Sequence, residues 1–214
     1  MENVTYYKKK IGIFGGSFDP IHQGHLNIAR SAYEEFHLDE VWFIPAGHSP
    51  NKDETGMTSA ADRAKMVELA IEEYPYFQLS MIEIQSSETS YTYRTLTKLT
   101  EQYPDIQFYF IMGADSLDYF ENWRHPEIIC AKAILLVAVR DELNLLQIEK
   151  KINELQKLFH TQIYPITGGK TDISSTKLRQ KLRVGADSIS MIPPKVAKYI
   201  ADCRLYEKSL PCDI

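Results

Sequence analysis

Short apolar runs alternate along this chain with longer segments in which apolar residues recur every three or four positions. The runs Lys10–Phe14, Val41–Pro45, Gln107–Met112 and Ala133–Val139 predict strands, and the last three are nearly continuous in apolar residues, as strands covered on both faces are. Weaker strands are predicted near Phe77–Ile84 and Gln162–Pro165. Leu26, Ala29, Ala32, Tyr33 and Phe36 at i, i+3, i+4 spacing predict an amphipathic helix over Leu26–Phe36. Ala61–Tyr74 repeats the pattern and Pro75 closes it; Tyr93–Tyr103, Leu145–Phe159, Ser175–Val184 and Pro193–Asp202 are the other predicted helices. Strands alternating with helices specify an α/β fold, a mostly parallel sheet with helices on both faces. The connection Gly47–Ser59 is long and rich in Gly, Pro, Ser and charge, which makes it a candidate substrate-binding loop.

Composition narrows the class without naming a reaction. The chain has 214 residues, no internal repeat and no linker that would split it, so residues 1–214 are expected to form one domain. A formal charge of −5 argues against a general nucleic-acid binder, although local basic pockets remain compatible with it. Cys130, Cys203 and Cys212 are scattered, with no C-x-x-C pair, which suggests neither a disulfide framework nor a zinc site and fits a reducing cytoplasm. The N-terminus lacks an apolar signal region, and no stretch approaches the roughly 18 apolar residues that span a bilayer, so a cytoplasmic protein without membrane contact is expected.

The chemistry concentrates in G-I-F-G-G-S-F-D-P-I-H-Q-G-H, residues 12–25. The first strand is expected to end at Phe14, with Gly15 and Gly16 turning the backbone sharply toward a ligand and Ser17 adding a hydroxyl. Asp19-Pro20 would fix the turn into a helix whose first turn carries His22 and His25, at i, i+3 spacing, with Gly24 between them leaving the backbone uncovered. A helix N-terminus attracts negative charge, so phosphates would gather where the two imidazoles sit. Alternatively the histidines simply cap the helix or pair on a metal. The surrounding glycines, Asp and Pro favour the phosphate reading, and no ligand set completes a metal site. The loop matches neither the G-x-G-x-x-G fingerprint nor a P-loop.

A second helix start, Ser174-Ser175-Thr176, groups capping hydroxyls with free N–H groups, and Arg179 one turn on offers a forked donor to phosphate. The alternative is a plain solvated helix with Lys177, Arg179, Lys181 and Arg183 in water. Gly113-Ala114-Asp115 follows an apolar strand, where open parallel sheets bind ligands. Asp115 there would accept from a ribose hydroxyl, N-cap a helix over Ser116–Phe120, or do both. Trp123, in a polar stretch, would stack on an aromatic ring or pack in the core.

These segments together resemble the bacterial nicotinate-nucleotide adenylyltransferases of the (H/T)-x-G-H nucleotidylyltransferase superfamily. The resemblance rests on G-G-S-F-D-P-I-H-Q-G-H-L, S-Y-T-Y-R-T-L at Ser90–Leu96, F-I-M-G-A-D-S-L at Phe110–Leu117, Asn122-Trp123 and I-S-S-T-K-L-R at Ile173–Arg179. It implies a Rossmann-like nucleotidylyltransferase fold and transfer of the adenylyl group of ATP to nicotinate mononucleotide. The products would be deamido-NAD and pyrophosphate, with Mg2+ carried on the ATP phosphates and no protein metal ligands.

By the same resemblance His22, His25, Lys52 and Arg179 would be catalytic. Gly15, Gly16, Ser17, Phe18, Gly24, Gly113, Asp115, Ile173, Ser175 and Thr176 would bind ATP. Ser17, Phe18, Lys52, Thr92, Trp123 and Arg124 would bind nicotinate mononucleotide, Trp123 by stacking on the pyridine and the backbone of Thr92 and Arg124 by holding its carboxylate. Two positions depart from the family pattern: Asn51 stands where many relatives have a loop histidine, and Arg124 where many have Tyr. A guanidinium at position 124 would sharpen preference for the acid over the amide. The resemblance is compatible with a homo-oligomer. It separates the chain from pantetheine-phosphate adenylyltransferases, which lack the S-Y-T and N-W segments, and from class I aminoacyl-tRNA synthetases, which need a K-M-S-K-S-like loop.

Overall fold

The computed structural model of the chain describes residues 8–48, 57–139, 145–169, 173–184 and 189–207. The apolar runs form six strands: β1 (Lys9–Gly16), β2 (Glu40–Pro45), β3 (Phe77–Leu79), β4 (Ile106–Gly113), β5 (Ala133–Ala138) and β6 (Ile163–Ile166). All are parallel, in the order β3-β2-β1-β4-β5-β6. Parallel neighbours require long crossovers, and the helices supply them. These are α1 (Gln23–Phe36), α2 (Ala60–Ile71), α3 (Thr92–Gln102), α4 (Ala114–Leu117), α5 (Pro126–Lys132), α6 (Leu145–Phe159), α7 (Ser175–Arg183) and α8 (Pro194–Asp202).

Period-two alternation along the strands divides the interior into two cores. Phe14, Val41, Phe43, Tyr109, Ile111, Leu136 and Ala138 face one side and pack against α1, α2, α7 and α8. Ile11, Ile13, Ile44, Phe108, Phe110, Met112, Leu135 and Val137 face the other and pack against α3, α4, α5 and α6. The near-continuous apolar strands of the sequence are thus explained: every position on a central strand meets one helical layer or the other.

The structure corrects several expected boundaries. β1 does not end at Phe14; Gly15 and Gly16 are still paired, with Ile44 and Pro45. β3 stops at Leu79 because it is an edge strand held on one side only, by Val41, Trp42 and Phe43, and the chain then turns through Met81–Gln85. α5, with Pro126 in its first turn and Ile129 buried, is seven residues long, too short for its period to have predicted it. Asp115 does not cap a helix at Ser116: Gly113 occupies the N-cap of α4 and Asp115 lies exposed inside its first turn.

The strand order makes the site. Successive crossovers leave β1 toward β2 and β3 but leave β4 toward β5 and β6. The connections therefore diverge between β1 and β4, and it is beyond the carboxyl ends of such strands, here Gly16 and Gly113, that open parallel sheets form their ligand crevice.

Candidate active site

Beyond Gly16 the chain enters a buried turn. Phe18 adopts a left-handed backbone, φ 48°, which costs a side-chain-bearing residue about 1–2 kcal/mol. Packing holds it there: the ring is 1% exposed and meets Phe14 and Phe43 at centroid distances of 5.7 Å each. Gly16 has no side chain because a Cβ would stand 3.1 Å from that same ring. Only the backbone of Phe18 is therefore left to meet a ligand. The Asp19–Pro20 peptide is cis.

The two histidines are tied to each other at the start of α1. His22 is the N-cap in extended conformation, and its backbone N–H donates to His25 Nδ1 at 3.2 Å. The imidazoles stack at 3.7 Å, and Phe18 stands edge-on to His25 at 5.1 Å. An Nδ1 that accepts a hydrogen bond carries no proton, so the proton of neutral His25 resides on Nε2, leaving a donor at the outer end of the ring. Capping and phosphate binding are thus not exclusive, because the brace on the helix uses one ring nitrogen only. Gly24 is buried beneath the pair, and no acidic side chain occupies the first turn to oppose an anion.

α7 meets this turn. Ser175 Oγ donates to the Pro20 carbonyl at 3.2 Å, and Arg179 Nη1 donates to the Asp19 carbonyl at 2.7 Å. Arg179 Nη2 also reaches Thr176 Oγ1 at 3.4 Å. The expected capping hydroxyl is corrected: Ser174 is the N-cap by position but makes no side-chain cap bond. Ile173 packs at the edge of the core just before it. The N-termini of α1 and α7 are therefore joined through Asp19-Pro20.

Across the crevice, Gly113 closes β4 with open space where a Cβ would lie. Thr92 begins α3, whose first turn has neither a side-chain cap nor an acidic residue. The structure brings Thr92 and Arg124 into one neighbourhood: the Arg124 guanidinium lies 5.0 Å over the ring of Tyr91, and Nη1 donates to its hydroxyl at 3.3 Å. Trp123 is half-buried, 5.5 Å from Phe120 and 6.1 Å from Phe110, with its Nε1 buried and without a hydrogen-bond partner among the described residues. Lys52 and Asn51 lie outside the described residues, as does Cys212.

Three residues that the sequence reading passed over, Arg63, Thr58 and Tyr206, organise this geometry. Arg63 of α2 is 3% exposed and donates to Ser17 O (2.9 Å), Ala46 O (2.7 Å) and, at 3.4 Å, to Thr58 O and Gly47 O. One guanidinium thus fastens the loop after β1 to the loop after β2. Because a trans peptide directs its N–H opposite its C=O, drawing the Ser17 carbonyl onto Arg63 turns the Phe18 N–H away from it. Asp19 is fully buried and accepts from Thr58 and Tyr206. A signal for Arg63 existed: it falls on the buried stripe of α2 with Met66, Val67 and Ala70. None existed for Tyr206, which lies 187 residues from its partner.

Among the described residues no group of three or more His, Cys, Asp or Glu is placed to hold a metal, and no helix is long and apolar enough to cross a membrane.

The cytidylyltransferase-like family model matches residues 13–181. Over 192 residues the chain is 38% identical to the "Probable nicotinate-nucleotide adenylyltransferase" of Lachnoclostridium phytofermentans, covering 90% of this chain and 96% of that one. A protein of the same name from Clostridium botulinum is 40% identical over 197 residues, 91% of this chain and 98% of its own. In fold the chain is similar to Plasmodium falciparum nicotinic acid mononucleotide adenylyltransferase complexed with NaAD, with a TM-score of 0.74, 24% identity, and coverage of 92% of this chain and 97% of that one.

Proposed function

The chain belongs to the nicotinate-nucleotide adenylyltransferase family of nucleotidyltransferases, and from that premise we propose that it joins the adenylyl group of ATP to nicotinate mononucleotide in NAD biosynthesis. The reaction releases pyrophosphate and gives deamido-NAD by direct in-line attack, with no covalent enzyme intermediate. The observation that carries this reading is the pair of helix N-termini with no acidic residue in their first turns, α1 with its stacked histidines and α7 with Arg179, joined at Asp19-Pro20 beside the crevice. Two such termini favour one polyanion more than either alone.

His25, with its proton on Nε2, donates to an α-phosphate oxygen as charge shifts during the displacement, and His22 lies against the same phosphates. Arg179, Ser175 and Thr176 hold the β- and γ-phosphates from the start of α7. Gly15, Gly16, Ser17 and Phe18 approach through backbone, Gly24 lets the helix come close, and Gly113, Asp115 and Ile173 border the nucleoside. Lys52 is assigned to the phosphates as a point charge. Because positioning and charge stabilisation carry phosphoryl-type transfers, no protein nucleophile is required.

The donor set fits magnesium that arrives on the nucleotide: Asp19, the carboxylate of the loop, is fully buried and already accepts two hydroxyls, which leaves the ion to the triphosphate oxygens, where it would neutralise their charge. At the acceptor end, Trp123 stacks on the pyridine ring and the N–H groups of Thr92 and Arg124 take its carboxylate, which the unopposed N-terminus of α3 favours. The cytoplasm is the proposed compartment.

A pyrophosphate-release assay comparing nicotinate and nicotinamide mononucleotide tests the acceptor directly. The acid is expected to give the higher kcat/KM; equal values for the two would remove the carboxylate-binding role from Thr92 and Arg124.

A further inference from the structure

Asp19 is held by segments far apart in the chain. Its Oδ1 accepts from Thr58 Oγ1 at 2.7 Å and from the Tyr206 hydroxyl at 2.6 Å. Among the described residues its Oδ2 has no hydrogen-bond partner, and it lies 3.8 Å from Arg179 Nη1, which donates instead to the Asp19 backbone carbonyl. Tyr206 follows α8, is 9% exposed, and sits in left-handed backbone at φ 70°. α8 itself is tied to α2, Tyr199 donating to Asp62 at 2.8 Å and Lys195 reaching Glu72 at 2.9 Å.

Packing does not account for the phenol oxygen, because phenylalanine would fill nearly the same volume. A carboxylate without access to water draws in whatever donors reach it. Two hydroxyls on Oδ1 meet part of that demand, and the guanidinium stands off rather than closing into a forked pair. Burial, and then the Asp19 charge, push the Tyr206 phenol well above its ordinary range, which favours the protonated form that donates to the carboxylate.

We propose that Tyr206 is a positioning residue for adenylyl transfer: its hydroxyl, acting through Asp19, keeps the Arg179 guanidinium from collapsing onto that carboxylate and so keeps it available to the triphosphate. This rests on the reading of Arg179 as a triphosphate donor. Without the hydroxyl, Asp19 competes with ATP for the same guanidinium, and the loss falls on ATP rather than on the acceptor.

The test is steady-state kinetics and thermal melts on Tyr206→Phe, Arg179→Ala, the double variant and Thr58→Val. Tyr206→Phe is expected to raise KM for ATP by about tenfold, the scale of one hydrogen bond to a charged group, with KM for nicotinate mononucleotide changed less than about twofold. Thr58→Val, which strips the other hydroxyl from Oδ1, is expected to act in the same direction. In the Arg179→Ala background Tyr206→Phe should add nothing to KM for ATP. A Tyr206→Phe enzyme that melts earlier or turns over more slowly with KM for ATP unchanged would show a purely structural hydroxyl and overturn the proposal. If Arg179→Ala raises KM for ATP and Tyr206→Phe does not, only the Tyr206 proposal fails; if Arg179→Ala leaves it unchanged, the reading of Arg179 fails as well.

Discussion

The proposal gives His25 two tasks, one for each nitrogen, and they can be separated. Nδ1 accepts the His22 backbone N–H and closes the cap of α1, while the Nε2–H is assigned to phosphate. Alanine removes both. Glutamine at the third helical position can still close a capping box through its amide oxygen but offers no imidazole. His25→Ala and His25→Gln are both expected to lower kcat by about two to three orders of magnitude, the usual cost of one donor to a developing charge. Only the alanine variant should also lose the roughly 1 kcal/mol of a helix cap. Pyrophosphate release gives the first quantity and thermal unfolding the second; near wild-type turnover of His25→Gln would remove the imidazole from the mechanism. The sequence showed both histidines but left capping and phosphate binding as alternatives. Which nitrogen points where depends on the turn through Phe18, whose ring is set by Phe14 of β1 and Phe43 of β2.

Among the elements, the long helices and central strands were legible because their periodicity spans many residues: α1, α3, α6, α7 and α8 lie within a residue or three of their predicted bounds. The short elements were not. β3 is limited by having a single neighbour, and α5 by having room for only two turns. α2 was found as a helix, but its function was not, since its amphipathic pattern identified a buried stripe without saying that Arg63 on that stripe would grip two loops. Arg63→Met leaves the carbonyls of Ser17, Ala46, Gly47 and Thr58 without that donor inside the protein. The expected loss is about 3 kcal/mol, a fall in Tm of roughly 6–12 °C for a chain of this size. Turnover should fall with it, because Ser17 and Phe18 are no longer oriented. Lysine should not rescue the variant, since one ammonium cannot reproduce a planar fork spanning both loops. Thermal melts and kcat of both variants check this; full rescue by lysine would show that charge alone, without the fork, suffices.

For the molecule as a whole, the pH dependence of stability has an identifiable contributor. Glu83, in the turn after β3, accepts from Thr95 Oγ1 at 2.7 Å. Burial raises its carboxyl above the ordinary value of 4.5, partly offset by the hydroxyls of Thr95 and Ser90 and by the charge of Arg63. A carboxyl that binds its proton more tightly in the folded state contributes stability that is full below the unfolded pKa and is lost as pH rises through the folded one. Glu83→Gln removes that titration, so its stability relative to the wild type should grow as pH rises from below the ordinary carboxyl value of 4.5 to above the raised folded one. A difference that stays flat across that range in chemical denaturation would rule out an ionisation penalty at Glu83.

The sequence by itself determined what is local or periodic: the α/β class, the glycine-rich turn, both histidines, the start of α7, and, through resemblance, the family. Tertiary structure alone decided the strand order that opens the crevice between β1 and β4. It also decided the pairing of Asp19 with Tyr206, the grip of Arg63 on two loops, and the meeting of Arg124 with Tyr91 beside Thr92. The reason is physical. Periodicity and turn chemistry are encoded between near neighbours, whereas a buried charge is satisfied by whichever donors the fold brings to it, and their separation along the chain leaves no local trace.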